Sequence, residues 1–309
     1  MDEVYSRSFS AMATACRLQL RAPAGLAAGV GSRVMLEIAR IEQKYSRYRP
    51  GSLLSQINRV AAAGGEILVD DETASLLDFA YTCHRRSDGL FDITSGLLRR
   101  AWDFSADSRQ AAPPAPGVIG ALLPRIGLDK VVWRRPLLRF SVAGMELDFG
   151  GIGKEYAVDR AADICRNAGI TSGLIDLGGD IVALGPRPDG QPWSIGLRHP
   201  RQPDALLCES PLDAGALATS GDYERCMLIG GRRYAHILHP ETGWPVRGLT
   251  SVTVLAPRCM VAGGVATIAL LKERRGPDWL AGTDLPHLWV DEDGRLGGSL
   301  ADRFATELS

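Results

Sequence analysis

From Ala15 to Leu20 apolar and polar residues alternate, with Cys16, Leu18 and Leu20 set against Arg17 and Gln19. That period of two predicts a half-buried strand. The period then lengthens. Val34, Ile38, Ile41 and Tyr45 recur at spacings of three and four, with Glu37, Arg40 and Lys44 elsewhere around the turn, which predicts a helix from about Gly31 to Lys44. The polar stretch Tyr45 to Ser52 reads as a loop. Ser52 is suited to cap a short helix ending near Asn58, and Asp71 or Thr73 starts another that runs to about Ser87.

The Ala-, Pro- and Ser-rich stretch from Ala106 to Gly120 predicts an exposed excursion. A strand pair is expected over Leu137 to Leu147, turning at Ala143-Gly144. A helix follows over Ala157 to Asn167, with Val158, Ala161, Ala162 and Cys165 inward and Gly169 as its stop. Strands are then expected at Ser172–Leu177, Ile181–Leu184, Trp193–Leu197, Ala216–Thr219, Arg225–Ile229 and Thr250–Leu255, with a last helix over Ala262–Leu271. Hairpins with occasional helices, and no internal repeat or clear linker, point to one α+β unit over residues 1–309 rather than an alternating βαβ wheel.

Composition narrows the function classes. The 309 residues are 45% hydrophobic and 23% charged, which excludes a disordered chain. Lys+Arg 35 against Asp+Glu 36 gives a net charge of -1, unlike a dedicated nucleic-acid or anionic-membrane binder. No stretch approaches the roughly 20 apolar residues of a membrane span. The start, Met1-Asp2-Glu3-Val4, lacks an apolar secretory core, so a cytoplasmic protein is expected. The six cysteines show no CxxC pair and no repeated spacing, and read as reduced thiols.

Four segments carry candidate chemistry. Leu147-Asp148-Phe149-Gly150-Gly151-Ile152-Gly153-Lys154-Glu155-Tyr156 runs from a strand through three glycines into a helix. Such a turn brings backbone close to a ligand, and the helix start with Lys154 suits a phosphate; a plain glycine turn is the alternative. Leu177-Gly178-Gly179-Asp180 reads first as a hairpin turn. Thr219-Ser220-Gly221-Asp222-Tyr223 suits an anion or a turn, and no adjacent base supports a serine nucleophile. In His236-Ile237-Leu238-His239-Pro240, offset three puts the two rings on opposite faces of a strand, and Pro240 excludes a helix, so paired metal ligation is disfavoured.

In this order the segments resemble the FAD:protein FMN transferase family, also called ApbE. The resemblance spans Met12 to about Leu271. It rests on Met12-Ala13-Thr14, Tyr48-Arg49-Pro50-Gly51-Ser52 with Asn58, Gly89-Leu90-Phe91-Asp92 with Trp102, the Leu147 to Asp159 segment, Gly178-Gly179-Asp180, Thr219-Ser220-Gly221-Asp222-Tyr223, and His236-Ile237 with Pro240, Thr242 and Gly243. Each is weak alone; seven in order are specific.

The resemblance implies a two-lobed α+β fold, with mixed, mainly antiparallel sheets and flanking helices, and FAD in the cleft between the lobes. It implies cleavage of the FAD pyrophosphate with Mg²⁺, and transfer of FMN to a Ser or Thr of a flavin-acceptor protein with release of AMP. Met12, Tyr48, Leu90, Phe91, Asp92, Asp148, Lys154 and Leu238 are the implied FAD contacts. Tyr48 would stack on a flat ring, and Asp148 would accept hydrogen bonds from the adenine or ribose. His236 is the implied proton-handling or phosphate-contacting group. Gly151, through its carbonyl, and Thr267 are implied metal donors.

The chain departs from the pattern at the metal. Where the family carries the metal-binding Asp, this chain reads Gly263, and Lys-Gly-Tyr becomes Lys154-Glu155-Tyr156. Mg²⁺ takes hard, usually charged oxygens. Two neutral donors predict weak metal binding and slow or absent transfer, unless another acid such as Asp180 or Glu155 supplies the charge. A non-catalytic FAD-binding protein that stores, delivers or scaffolds is therefore the alternative. An oxidoreductase using FAD for hydride transfer ranks lower, because no GxGxxG opens a dinucleotide unit.

Overall fold

β1 (Glu3–Ala11) and β2 (Thr14–Ala22) form a hairpin whose two-residue turn, Met12-Ala13, has φ of 52° and 58°. Left-handed backbone at both positions matches the twist of the flanking strands. The structure is a computed structural model that describes residues 3–105, 108 and 110–301. Three helices follow the hairpin: α1 (Ala24–Tyr45), α2 (Leu53–Ala63) and α3 (Asp71–Arg86), with β3 (Glu66–Leu68) between the last two. A 3₁₀ helix spans Ile93–Arg100, and α4 (Pro116–Leu122) precedes β4 (Val131–Arg134) and β5 (Leu137–Phe140).

The glycine turn then feeds α5 (Gly153–Asn167), β6 (Gly173–Leu177) and β7 (Asp180–Gly185). The ribbon of β8 (Trp193–Arg198) and β9 (Leu206–Leu212) leads to β10 (Gly215–Gly221) and a second ribbon, β11 (Cys226–Ile229) with β12 (Arg232–Ala235). β13 (Leu249–Ala256), α6 (Cys259–Leu271), α7 (Gly276–Ala281), β14 (His287–Asp291) and β15 (Leu296–Gly297) complete the order.

One eight-stranded sheet, β1-β2-β6-β7-β10-β13-β14-β15, organises the rest, with its strands in chain order and its pairings antiparallel. The α+β reading with mainly antiparallel sheets holds. α1 turns Ala27, Val30, Val34, Ile38, Ile41 and Tyr45 inward, against α5 and the first hairpin. α6 is apolar on almost every side because it is enclosed by β10, β13, α5 and α7. Thus α5 and α6 lie side by side beneath the sheet, and their facing side chains form the site described next.

Several boundaries differ from the sequence expectations. α1 begins at Ala24 rather than Gly31, and of its three glycines Gly31 has a packing reason. A Cβ on Gly31 would lie 2.6 Å from Cε1 of Tyr5, so its absence lets the first strand dock. α2 runs on past Asn58 to Ala63, and α5 begins at Gly153 rather than Ala157. The hairpin within Leu137–Leu147 is replaced by β4 and β5, which turn at Arg135-Pro136. Pro136 supplies the turn that the Ala143-Gly144 pair was expected to make.

Of the expected excursion, Ala106, Asp107 and Arg109 lie outside the described residues. Its end is not exposed coil: Pro116–Leu122 is helical, and Ile119 is buried against Trp102. The sequence pattern predicts no strand at β1, β3, β4, β9, β12, β14 or β15.

Candidate functional site

Asn58 sets the position of the glycine turn. Its amide donates to the Leu147 carbonyl at 2.9 Å, and its carbonyl accepts the Leu147 N–H at 2.7 Å. The next residue, Asp148, donates its N–H to the Ile93 carbonyl at 2.8 Å. One oxygen of its carboxylate accepts the Gly150 N–H at 3.0 Å, and the other pairs with Arg47 Nη1 at 2.5 Å. In the sequence Arg47 is only one residue of a polar loop. Its guanidinium carbon lies 5.3 Å from the centre of the Tyr48 ring, and that ring is 73% exposed. A large exposed aromatic beside an anion-lined turn is available for stacking.

The turn itself is close-packed from two sides. A Cβ on Gly151 would lie 3.4 Å from the Phe91 ring, and one on Gly153 would lie 3.8 Å from Met12 Cε. The glycine turn thus has Phe91 beside Gly151 and Met12 beside Gly153, with Asp148 just before it and Lys154 just after it in the chain. No side chain caps α5, whose start faces this space. Such a start suits an anionic ligand.

Leu90 and Asp92 come to the same region but are buried in the fold. Asp92 is committed: one oxygen accepts from Thr94 N–H and Oγ1 at 2.7 and 2.6 Å, and the other accepts from Leu128 N–H at 2.8 Å. Leu238 pairs with Pro245 in an isolated bridge and packs toward Trp102 and Leu98.

Lys154 points from the first turn of α5 to the start of β7, where Nζ lies 2.7 Å from Asp180 Oδ2. Burial works against its charge, but Asp180 and Glu155 outweigh it and hold the ammonium above its ordinary range. Burial raises the Asp180 carboxyl, with Lys154 opposing. Gly178, at φ 65°, lets the β6–β7 turn close over Thr14, whose Oγ1 would lie 2.2 Å from a Cβ there.

Glu155 is the next residue, only 6% exposed, and its Oε2 has no hydrogen-bond partner among the described residues. Burial first, then the Asp180 charge, raises its carboxyl. Its side chain lies against α6, where a Cβ on Gly263 would fall 2.6 Å from Glu155 Cγ and 2.8 Å from Oε1. One turn further along α6, Thr267 Oγ1 is 2.9 Å from Ser220 Oγ on β10. The Ser220 hydroxyl is thus engaged with Thr267, the implied metal donor.

A hard cation fits this donor chemistry: a buried carboxylate oxygen without a partner, a hydroxyl, and the carbonyl-rich glycine turn. Among the described residues no three His, Cys, Asp or Glu side chains form a closed metal cage.

His236 Nδ1 lies 3.0 Å from the Arg225 carbonyl. Burial first, then the charges of Arg225 and Lys154, push its imidazole down to about 4, so it is neutral at pH 7. His239 sits in the following loop with its N–H on the Trp244 carbonyl.

The ApbE family's sequence model matches residues 12–289. The chain is 29% identical to a FAD:protein FMN transferase of Vibrio cholerae, over 82% of this chain and 76% of that one. It is also 29% identical to one of Treponema pallidum, over 97% of this chain and 88% of that one. The crystal structure of the ApbE protein from Thermotoga maritima is similar with a TM-score of 0.89 at 29% identity, over 98% of this chain and 99% of that one. The flavin transferase ApbE from Vibrio cholerae gives a TM-score of 0.85 at 26% identity, over 97% and 98% of the two chains.

Proposed function

Since the chain belongs to the ApbE family, we propose that it moves the FMN part of FAD onto a Ser or Thr hydroxyl of an acceptor protein. The observation that carries the reaction is this: the likeness to flavin transferases runs through nearly the whole chain, and the glycine turn sits at its centre.

FAD is the substrate. We read the chain, 1–309, as one unit with FAD between two lobes. Tyr48 stacks on one flat ring of FAD, and Met12 and Phe91 line the space beside the glycine turn. The start of α5 and Lys154 face the pyrophosphate. Leu90, Asp92 and Leu238 shape the pocket wall, Asp92 through the backbone it holds. Asp148, positioned by Arg47, faces the adenosine.

In the reaction an acceptor oxygen attacks the FMN-side phosphorus. The bond to the bridging oxygen breaks, and AMP leaves with the electron pair. His236, neutral in the free protein, takes the acceptor proton. Gly151, through its carbonyl, and Thr267 would help hold Mg²⁺, which when bound would supply positive charge beside the pyrophosphate. Positioning and fixed charge carry the rest.

The partners we read are FAD and the acceptor protein. Among the described residues no helix is long and apolar enough to cross a membrane. Buried thiols at Cys16, Cys83, Cys165 and Cys259 support a reducing, cytoplasmic setting.

The reading is tested by following AMP release from FAD with Mg²⁺ present. AMP should appear in step with acceptor peptide and stop when its Ser or Thr is replaced by Ala. FAD binding without AMP release would favour the non-catalytic FAD-binding alternative.

A further inference from the structure

Glu155 and Gly263 fit each other as a pair. Gly263 lies inside α6, where glycine is a poor helix former. The structure gives one reason for it. Any larger residue would place its Cβ 2.6 Å from Glu155 Cγ, 2.8 Å from Oε1 and 3.1 Å from Cδ. The space that a side chain at 263 would take is filled by the carboxylate arm of Glu155, reaching across from α5.

That carboxylate is not satisfied by the protein. It is 6% exposed, its Oε2 has no hydrogen-bond partner among the described residues, and the adjacent Lys154 already pairs with Asp180. Two buried acids therefore face one ammonium. A buried acid of this kind either stays protonated or is ionised beside a cation that pairs with it. Thr267, four residues beyond Gly263, presents its hydroxyl along the same stripe of α6. The carbonyl of Gly151 precedes the first turn of α5, from which Glu155 projects.

We propose that Glu155 is the carboxylate ligand of a divalent cation in this chain, delivered from α5 into the space left open by Gly263. The inference rests on the flavin-transfer reading for the identity of the anion, a pyrophosphate, that shares the cation. It revises the expectation of a metal site short of a carboxylate. It also changes what a carboxylate at 263 would do. Gly263→Asp alone does not repair the site, because its side chain collides with Glu155. Only the exchange of both residues moves the carboxylate from one helix to the other.

The test uses Mn²⁺ as the probe, followed by the electron paramagnetic resonance of the free ion, on the full chain with FAD bound. Glu155→Gln, nearly the same shape, should weaken Mn²⁺ binding by about tenfold or more. Its FAD affinity in EDTA should stay within about twofold of the parent. Gly263→Asp should also weaken Mn²⁺ binding, by about fivefold or more, and Glu155→Gly combined with Gly263→Asp should return it to within about threefold of the parent. A thermal melt of each variant shows that it is folded. Unchanged Mn²⁺ binding in Glu155→Gln would overturn the inference. So would a parent protein that binds FAD but takes up no Mn²⁺. A parent that binds no FAD would instead overturn the flavin-transfer reading, and this inference with it.

Discussion

Nζ of Lys154 lies 2.7 Å from Oδ2 of Asp180, tying the first turn of α5 to the start of β7 at the edge of the glycine turn. Removing the ammonium leaves Asp180 and Glu155 buried without a counter-charge. Lys154→Met should therefore lower stability by about 3 kcal/mol, the lower end for breaking a buried pair, since Lys154 itself is a third exposed. Urea unfolding measures this. FAD affinity should fall by about tenfold in the same variant, because the charge facing the pyrophosphate is gone. A variant with parental stability and affinity would contradict the placement of this pair.

Tyr48 separates binding from folding. Its ring is 73% exposed and touches mainly Arg47, so Tyr48→Ala should shift the melting temperature by no more than about 1 °C. If the ring stacks on FAD, the same change should weaken FAD binding by about five- to tenfold, the worth of one stacked pair. Calorimetry with FAD and FMN side by side also tests the adenosine contacts, since FAD should bind the parent more tightly than FMN. Equal binding of both by the parent would count against Asp148 as an adenosine contact.

Much of this was legible in the chain. Alternation exposed β2, the three-four spacing exposed α1, and Ser52 caps α2 as expected, accepting the Ser55 N–H at 2.9 Å. The glycine turn and Lys154 stood out by residue type and order, and Thr267 by the family resemblance alone. What escaped depends on partners distant in sequence. Arg47 carried no local signal, since its role comes from Asp148, 101 residues away. Glu155 and Gly263 appeared as two separate departures from a pattern. Only the packing of α5 on α6 shows that one fills the space of the other. β1 was missed because its exposed, polar residues give a weak period, and its pairing with β2 decides its fate.

Glu72 sets an acid limit on stability. It joins three helices, accepting from Arg40 on α1 at 2.6 Å, Lys44 on α1 at 2.6 Å and Tyr156 on α5 at 2.7 Å. Burial alone would raise its carboxyl, but these donors outweigh it and hold it down to about 2, against 4.5 for an ordinary glutamate. The stabilisation is thus complete above pH 4.5 and lost as pH falls toward 2. It amounts to about 1–2 kcal/mol after allowing for solvent screening. Glu72→Gln should flatten the fall in unfolding free energy over that window while lowering stability at neutral pH. An unchanged acid slope would show that other carboxylates set it.

Flavin transfer is tested most directly by the intact mass of an acceptor peptide after incubation with this protein, FAD and Mg²⁺. The peptide should gain the mass of one FMN phosphoester, at its Ser or Thr, with one AMP released for each peptide modified. Glu155→Gln should sharply slow that gain. An unmodified peptide, from protein shown to be folded and saturated with FAD and metal, would contradict transfer to that acceptor. If further Ser and Thr peptides from flavinylated proteins also stay unmodified, the chain is a flavin-binding protein rather than a transferase.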